Sequence, residues 1–380
     1  MRGFRIAWRL GIIGGGAALL LILVWWLRRP TVAAAEAELR AGNLAVAETI
    51  ANRLVLRDSK DLSAWKLLGR IREERRDLPG AAAAYRSAAD LNSALSDVRL
   101  REAMCWLQSA RLEDCERALR AVLATKPDDE TAQTELQWLL FNQLRSRELE
   151  TFLEGILERN PANFRVLYHL LQSNQRPPNP RETVGKMEQV QQMHPGQPSI
   201  ELALGRCYWK LGEPQRARPL LESAQRQLPN NLEAAFTWAE FNFEADDVPA
   251  AQAALDRVAA AGQADDRWWW LSGRLQNYRG EVSAAIQSLT RATELRGREI
   301  AYRTTLATWL HTTGQVDAAR EQHERVQQMR QADQQLYIIV SRGDLERPHQ
   351  RLYAKLATLC TVLERPIQAD GWRRLSAVSP

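Results

Sequence analysis

The chain has 380 residues, 45% of them apolar and 26% charged, with only four cysteines. That is too long for a single ordinary core, too apolar for a disordered chain, and too poor in cysteine for a disulfide scaffold. The net charge of +5 matches the five arginines (Arg2, Arg5, Arg9, Arg28, Arg29) that stand without any acid in the first 30 residues, so the remainder is neutral and nucleic acid is not an expected partner.

Residues 1–9 form a basic flank. Residues 10–27 follow as 18 consecutive uncharged positions, close to the roughly 20 that cross a bilayer. Trp25 and Trp26 stand where an interfacial aromatic belt would lie. Arg28, Arg29 and Pro30 come next, in place of the small residues of a cleavage site. The segment therefore reads as a transmembrane signal anchor, and membrane contact through 10–27 is expected. The arginine bias predicts a single-pass inner (cytoplasmic) membrane protein with an extracytoplasmic body. The reverse topology, an assembly factor facing the cytoplasm, is the alternative.

Beyond the anchor the chain is periodic. Pro127, Pro161, Pro195 and Pro229 lie 34 residues apart. Proline lacks an N–H and ends helices, so each marks one joint of a repeated unit. Extending this phase gives nine units over 28–333, starting at 28, 62, 96, 130, 164, 198, 232, 266 and 300. Their eighth and twentieth positions are mostly small, as at Ala35, Gly69, Ala81, Cys115, Gly205, Ala217, Gly273 and Ala285. Small residues there let two antiparallel helices approach closely. Position 15 is Gly42, Gly212, Gly280 or Gly314 in four units, a residue suited to ending a helix. Ala, Leu, Arg, Glu and Gln dominate the composition, which also points to an all-α fold.

In the second unit Trp65, Leu68, Gly69, Ala81, Tyr85 and Ala88 form the W, L, G, A, Y and A pattern of a known repeat. The chain thus resembles the tetratricopeptide repeat (TPR) family, and in particular its bacterial membrane-anchored members. The resemblance implies an all-α, right-handed solenoid of helix–turn–helix units. The units at 130 and 164 depart from it. Gln137, Leu149 and Leu171 replace small residues there, and Pro177, Pro178 and Pro180 fill a turn. Altered packing or curvature is expected at that place. The phase breaks after 333. Residues 334–349 form an insertion, in which 336–340 suits either a strand-like connector or a continued helix. Residues 350–380 read as a capping helix pair, with Leu356, Ala357, Ala369 and Trp372 near family positions.

No constellation for catalysis stands out. The chain lacks a P-loop, a G-x-S-x-G and an H-E-x-x-H, and its five histidines lack metal-ligand spacing. No enzyme activity, metal or cofactor is expected. Cys105 and Cys115 fall on facing helices of one unit, as buried thiols or, in an extracytoplasmic body, as a bridge. The resemblance implies a concave face built from positions 2, 5, 6, 9, 12 and 13 of each first helix. Those positions hold Trp138, Phe141, Tyr168, Arg206, Trp209, Phe236, Phe243, Trp270 and Arg274, the residue types of interface hot spots. Residues 268–270 are all tryptophan, and a helix cannot turn three successive side chains into one core. Lys66, Arg70 and Arg101 partly match the basic clamp by which some family members hold a peptide carboxylate. The expected function is a membrane-anchored protein–protein interaction scaffold that binds a peptide or protein segment in its groove. The alternative is an accessory polysaccharide-binding factor in the assembly or export of a cell-envelope polymer.

Overall fold

The computed structural model describes residues 31–378, and among these the chain forms 21 α-helices and no strands. They pair along the chain. The pairs begin with α1 (Val32–Arg40) and α2 (Leu44–Arg57), α3 (Leu62–Glu74) and α4 (Leu78–Leu91), then α5 (Ser96–Gln108) and α6 (Leu112–Thr125). Next come α7 (Glu130–Asn142) and α8 (Ser146–Arg159), α9 (Phe164–Gln175) and α10 (Pro180–Met193), then α11 (Pro198–Lys210) and α12 (Pro214–Gln227). α13 (Leu232–Glu244) is followed by α14 (Val248–Arg257) and the short α15 (Ala259–Gly262). The series ends with α16 (Asp266–Tyr278) and α17 (Val282–Leu295), α18 (Ile300–Thr312) and α19 (Val316–Arg342), α20 (Gln350–Val362) and α21 (Pro366–Val378).

Local chemistry sets these boundaries. Asp61, Asp77, Asn163, Asn231 and Asp247 each accept a hydrogen bond from the backbone N–H three residues on, closing a helix start. Between the two helices of a pair one residue turns left-handed. Glycine takes this conformation at Gly42, Gly212, Gly280 and Gly314, with φ between 77° and 80°. The same place in other pairs holds Arg76, Ala110, Leu144 and Asp246, with φ between 56° and 63°. The phase thus continues through residues that have a Cβ, at some cost in strain. One pair breaks the pattern. It carries Pro178 at this position, and proline cannot take a positive φ.

The transmembrane segment expected at 10–27 lies outside the described residues. Among the described residues no helix is long and apolar enough to cross a membrane. That finding corrects the expectation of a single-pass membrane protein.

The chain divides into two compact units, Met1–Ala132 and Gln133–Pro380. In the first, successive helices stack through a core that includes Ala35, Leu54, Leu67, Leu68 and Ile71. The Tyr85 hydroxyl donates to Glu73 at 2.7 Å. All four cysteines are buried thiols, Cys105 and Cys115 among them. Burial pushes the Cys105 and Cys207 thiols up to about 12 and that of Cys360 to about 11.

The second unit folds back on itself, and α9 is the strut it closes around. Val166, Leu167, Leu170 and Leu171 are all buried, and α9 packs against α8, α19 and α21. α19 does not stop at residue 333 but runs on to Arg342, so residues 336–340 are helical. Its extension buries Leu336, Ile339 and Val340. There Gln175 donates to the Asp333 carboxylate at 2.9 Å, and Arg176 donates to the Val340 carbonyl at 3.5 Å. Gly343, at φ 70°, ends the helix. From α21, Trp372 is fully buried, edge-on to Phe164 at 6.1 Å and stacked on Tyr353 at 5.7 Å. Beside it a Cβ on Gly371 would stand 2.5 Å from the Pro161 carbonyl oxygen, so only glycine allows α21 this close.

Ion pairs reinforce the closure. Arg296 reaches Glu150, and Arg298 bridges Glu150 and Glu154 at 3.2 and 2.7 Å. Arg147 of α8 pairs with Asp266, which also accepts from the Tyr302 hydroxyl at 2.7 Å. A second knot centres on Glu233, held by Arg206 at 2.6 Å and by Arg267, which also grips Asp265 at 2.8 Å. Burial alone would raise the Glu233 and Asp265 carboxyls. Arg206 and Arg267 outweigh it at Glu233, as does Arg267 at Asp265, and both stay below the usual carboxylate range.

Three outcomes are expected. Replacing the left-handed Arg76 by glycine should raise the unfolding free energy by up to about 1 kcal/mol, read from denaturant midpoints. Trp372→Ala should lower it by about 3–5 kcal/mol. The third concerns acid. Because Glu233 and Asp265 titrate lower in the folded state, their stabilisation is complete above the usual carboxylate value of about 4 and is lost as pH falls through the folded values. Glu233→Gln should weaken the protein at neutral pH and flatten that acid limb; an unchanged slope would refute the role given to Glu233.

Candidate peptide-binding cleft

The second unit contains an open cleft of about 590 Å³ between α7 and α9. Trp138 and Phe141 enter it from α7, three residues apart and so on one helix face. Leu149, from the start of α8, contributes the apolar floor. A small residue at this place, as in most other pairs, would not fill that space. Trp138 is 41% exposed, unusual for so large an apolar ring. Phe141 is half-buried beneath the opening.

α9 supplies the polar side. Arg165, His169 and Gln172 line the cleft from successive turns of that helix, and Arg176 lines it from just past the helix end. Arg165 donates to the Thr134 hydroxyl across the opening. Burial, and then the charge of Arg165, hold the His169 imidazole below its ordinary value. It is therefore neutral at physiological pH and can offer one donor and one acceptor. Tyr168 turns away towards the closure, tilted against Phe164 at 6.1 Å and edge-on to His169 at 5.9 Å. The arrangement suits an apolar side chain seated on Trp138 and Phe141 with a carboxylate at the guanidinium groups. Among the described residues no cluster could hold a metal ion.

The other expected groove residues separate into three groups. Phe236 and Arg206 are closed off, at 3% and 7% exposure. Phe236 lies under the Arg267 guanidinium at 4.7 Å, and Arg206 is consumed by Glu233 and Thr237. Both correct the expectation of a solvent-facing role. Trp209, Phe243, Trp270 and Arg274 remain half-buried and contact one another or nearby side chains. The Trp209 indole donates to Glu244 at 3.0 Å, and Trp270 stacks on Tyr302 at 4.8 Å. Arg274 lies 4.3 Å over Phe243 and 3.8 Å from Glu240. Burial raises the Glu240 carboxyl although 41% of its side chain is accessible, which describes a recess crowded by protein yet open to water. Residues 268–270 are all half-buried, each on a different neighbour. The indoles of Trp268 and Trp269 donate to the carbonyls of Leu255 and Gln263.

The third group is in the first unit. Lys66 is half-buried; Arg70 stands 4.0 Å from Glu36, and Arg101 pairs with Glu73 at 3.2 Å. Arg70 and Arg101 share a recess of about 560 Å³ with Glu73 and Glu74, while Lys66 is not part of it. The chain's own acids therefore sit where a carboxylate clamp would need open charge. Conversely, the groove residues expected from the sequence do not include Arg165 and Arg176. They occupy positions 2 and 13 of the unit starting at 164, so the concave-face rule itself reaches them.

Comparison with known proteins gives two family-model matches, both described as tetratricopeptide repeat, over residues 32–95 and 209–275. No curated protein matches the chain. Among solved structures, the MamA fragment from residue 41 onward of Desulfovibrio magneticus RS-1 is similar at 21% identity, over 43% of this chain and 93% of that one, with a TM-score of 0.35. The Cut9–Hcn1 hetero-tetramer of APC/C is similar at 13% identity, over 90% and 88%, with a TM-score of 0.43. YrrB, described as a TPR protein with an unusual peptide-binding site, is similar at 14% identity, over 48% and 95%, with a TM-score of 0.27. With two repeat segments matched and helix pairs recurring every 34 residues from α3 to α18, the chain belongs to the tetratricopeptide repeat superfamily.

Proposed function

We propose that this protein is an interaction scaffold that holds a peptide or protein segment in the cleft between α7 and α9. TPR proteins in general mediate protein–protein interactions, and their scaffolds are typically non-enzymatic. The observation that carries the reading is Trp138, 41% exposed above an apolar floor and flanked by the arginine-bearing side of α9. An aromatic anchor with guanidinium groups at its rim is the composition of an interface hot spot. A partner segment with an apolar residue beside an aspartate or glutamate fits it. The neutral His169 adds a hydrogen bond without adding charge. The half-buried aromatics on α11, α13 and α16 offer further shallow contacts for a longer segment.

Selection of peptides from a displayed random library on the full chain tests this. The enriched sequences should pair an apolar residue with an acid. Their affinity should fall at least tenfold, or about 1.4 kcal/mol, in Trp138→Ala. Peptides that bind Trp138→Ala as well as the unmodified protein would overturn the reading. Oligosaccharides in the same assay address sugar binding: saturable glycan binding lost in Trp138→Ala would replace the peptide reading.

A further inference from the structure

α18 and α19 form a second cleft, of about 560 Å³, on the face of this pair that looks away from α17. Every earlier pair has its corresponding face defined by one apolar residue in the middle of the second helix. Stepping by 34 these are Ala51, Tyr85, Leu119, Leu153, Met187, Leu221, Leu255 and Leu289, and all are at most 1% exposed. Leu289 illustrates what these residues do. With Ala292 it packs against Tyr302 and Leu306 of α18, the first helix of the next pair. The following member of the series is His323, and it is exposed. Its surroundings remain partly apolar. Ala307, Ala319 and Val326 form the floor, and Val316 stands 56% exposed at one end.

Among the described residues the following helix α20 packs against α19 but contributes no residue to this cleft. α19 runs on for 27 residues and carries the chain to α9, where α21 docks. The cleft keeps the shape that receives a helix, lined by one stripe of α18 and one of α19. Arg320 and Arg330 line it together with His311 and His323, and no acid does. Arg320 pairs with Asp317, which is 91% exposed, while Arg330 has no partner among the described residues. The chain's segment 1–30 cannot complement this rim, since it carries five arginines and no acid. A second copy presenting the same cleft would meet like charge.

We propose that this face is a docking site for an acidic amphipathic helix of a partner protein, lying where the first helix of a further repeat would lie. Apolar residues of the partner at i, i+3 or i+4, and i+7 meet Ala307, Ala319 and Val326. Its carboxylates meet Arg330 and His323, the latter where earlier pairs present an apolar side chain. This site is separate from the α7–α9 cleft.

The probe is a designed peptide of about four helical turns, with leucine on one stripe and glutamate on the flanks. Its binding to the full chain is followed by fluorescence anisotropy. It should bind at least tenfold more tightly than the same peptide with lysine for glutamate, and than a scrambled peptide of equal charge. The surface variant His323→Glu/Arg330→Glu should lose at least tenfold while keeping its melting temperature. Trp138→Ala should bind the probe unchanged, which separates this site from the other. Equal binding of the scrambled peptide, indifference to the double variant, or a dimer that the double variant abolishes would each overturn the proposal.

Discussion

The second unit depends on the covering of α9. A helix in an ordinary repeat buries one stripe against its partner and another against its neighbours. α9 has Val166, Leu167, Leu170 and Leu171 buried, and Phe164 inside an aromatic cluster. Those residues need more covering than one partner supplies. The extended α19 and the docked α21 provide it. Burial is the main favourable term, because it scales with apolar area removed from water. The pairs of Arg296 and Arg298 with Glu150 and Glu154 contribute chiefly register, since desolvation offsets much of the attraction between buried charges. The α7–α9 cleft depends on this closure, because one of its walls is the same helix.

The repeat was legible because it rests on local rules. Proline stops, small residues at close approaches and a left-handed joint all recur at a fixed step. The sequence suggests the joint at four glycines; the structure extends it to Arg76, Ala110, Leu144 and Asp246, which have no glycine signature. The closure was much less legible. Leu149, Leu171 and the run from Pro177 to Pro180 mark where the pattern fails, but nothing periodic links them to Trp372. Contacts across that distance depend on tertiary fit rather than on spacing. The continued α19 follows the same logic, for an apolar run of five residues is ambiguous until its neighbour is known.

The candidate site was half legible. Trp138 and Phe141 follow from the concave-face rule, and Arg165 and Arg176 stand at positions the same rule covers. What the rule cannot foresee is self-satisfaction. Arg206 is taken by Glu233, Arg101 by Glu73 and Arg274 by Phe243 and Glu240. A basic residue on a concave face therefore signals a ligand only when the neighbouring helices lack the acid to neutralise it. His323 is the reverse case. It breaks an apolar series of eight, and such a departure is visible only after the whole series has been aligned.

Closure also changes how the second unit should fold. Stacked repeats normally gain stability from nearest neighbours, so folding can start anywhere and spread while the ends fray. Here the bonds that complete the unit join residues 144, 146, 158 and 214 positions apart. Long separations slow folding because loop-closure entropy is lost before the contacts form. They also couple distant elements into one cooperative block. On the ribosome α9 emerges early, with its apolar faces uncovered, and its final partner is the last described helix of the chain. Some 200 residues of synthesis separate the two, an interval in which the half-made unit exposes the surface it later buries deepest.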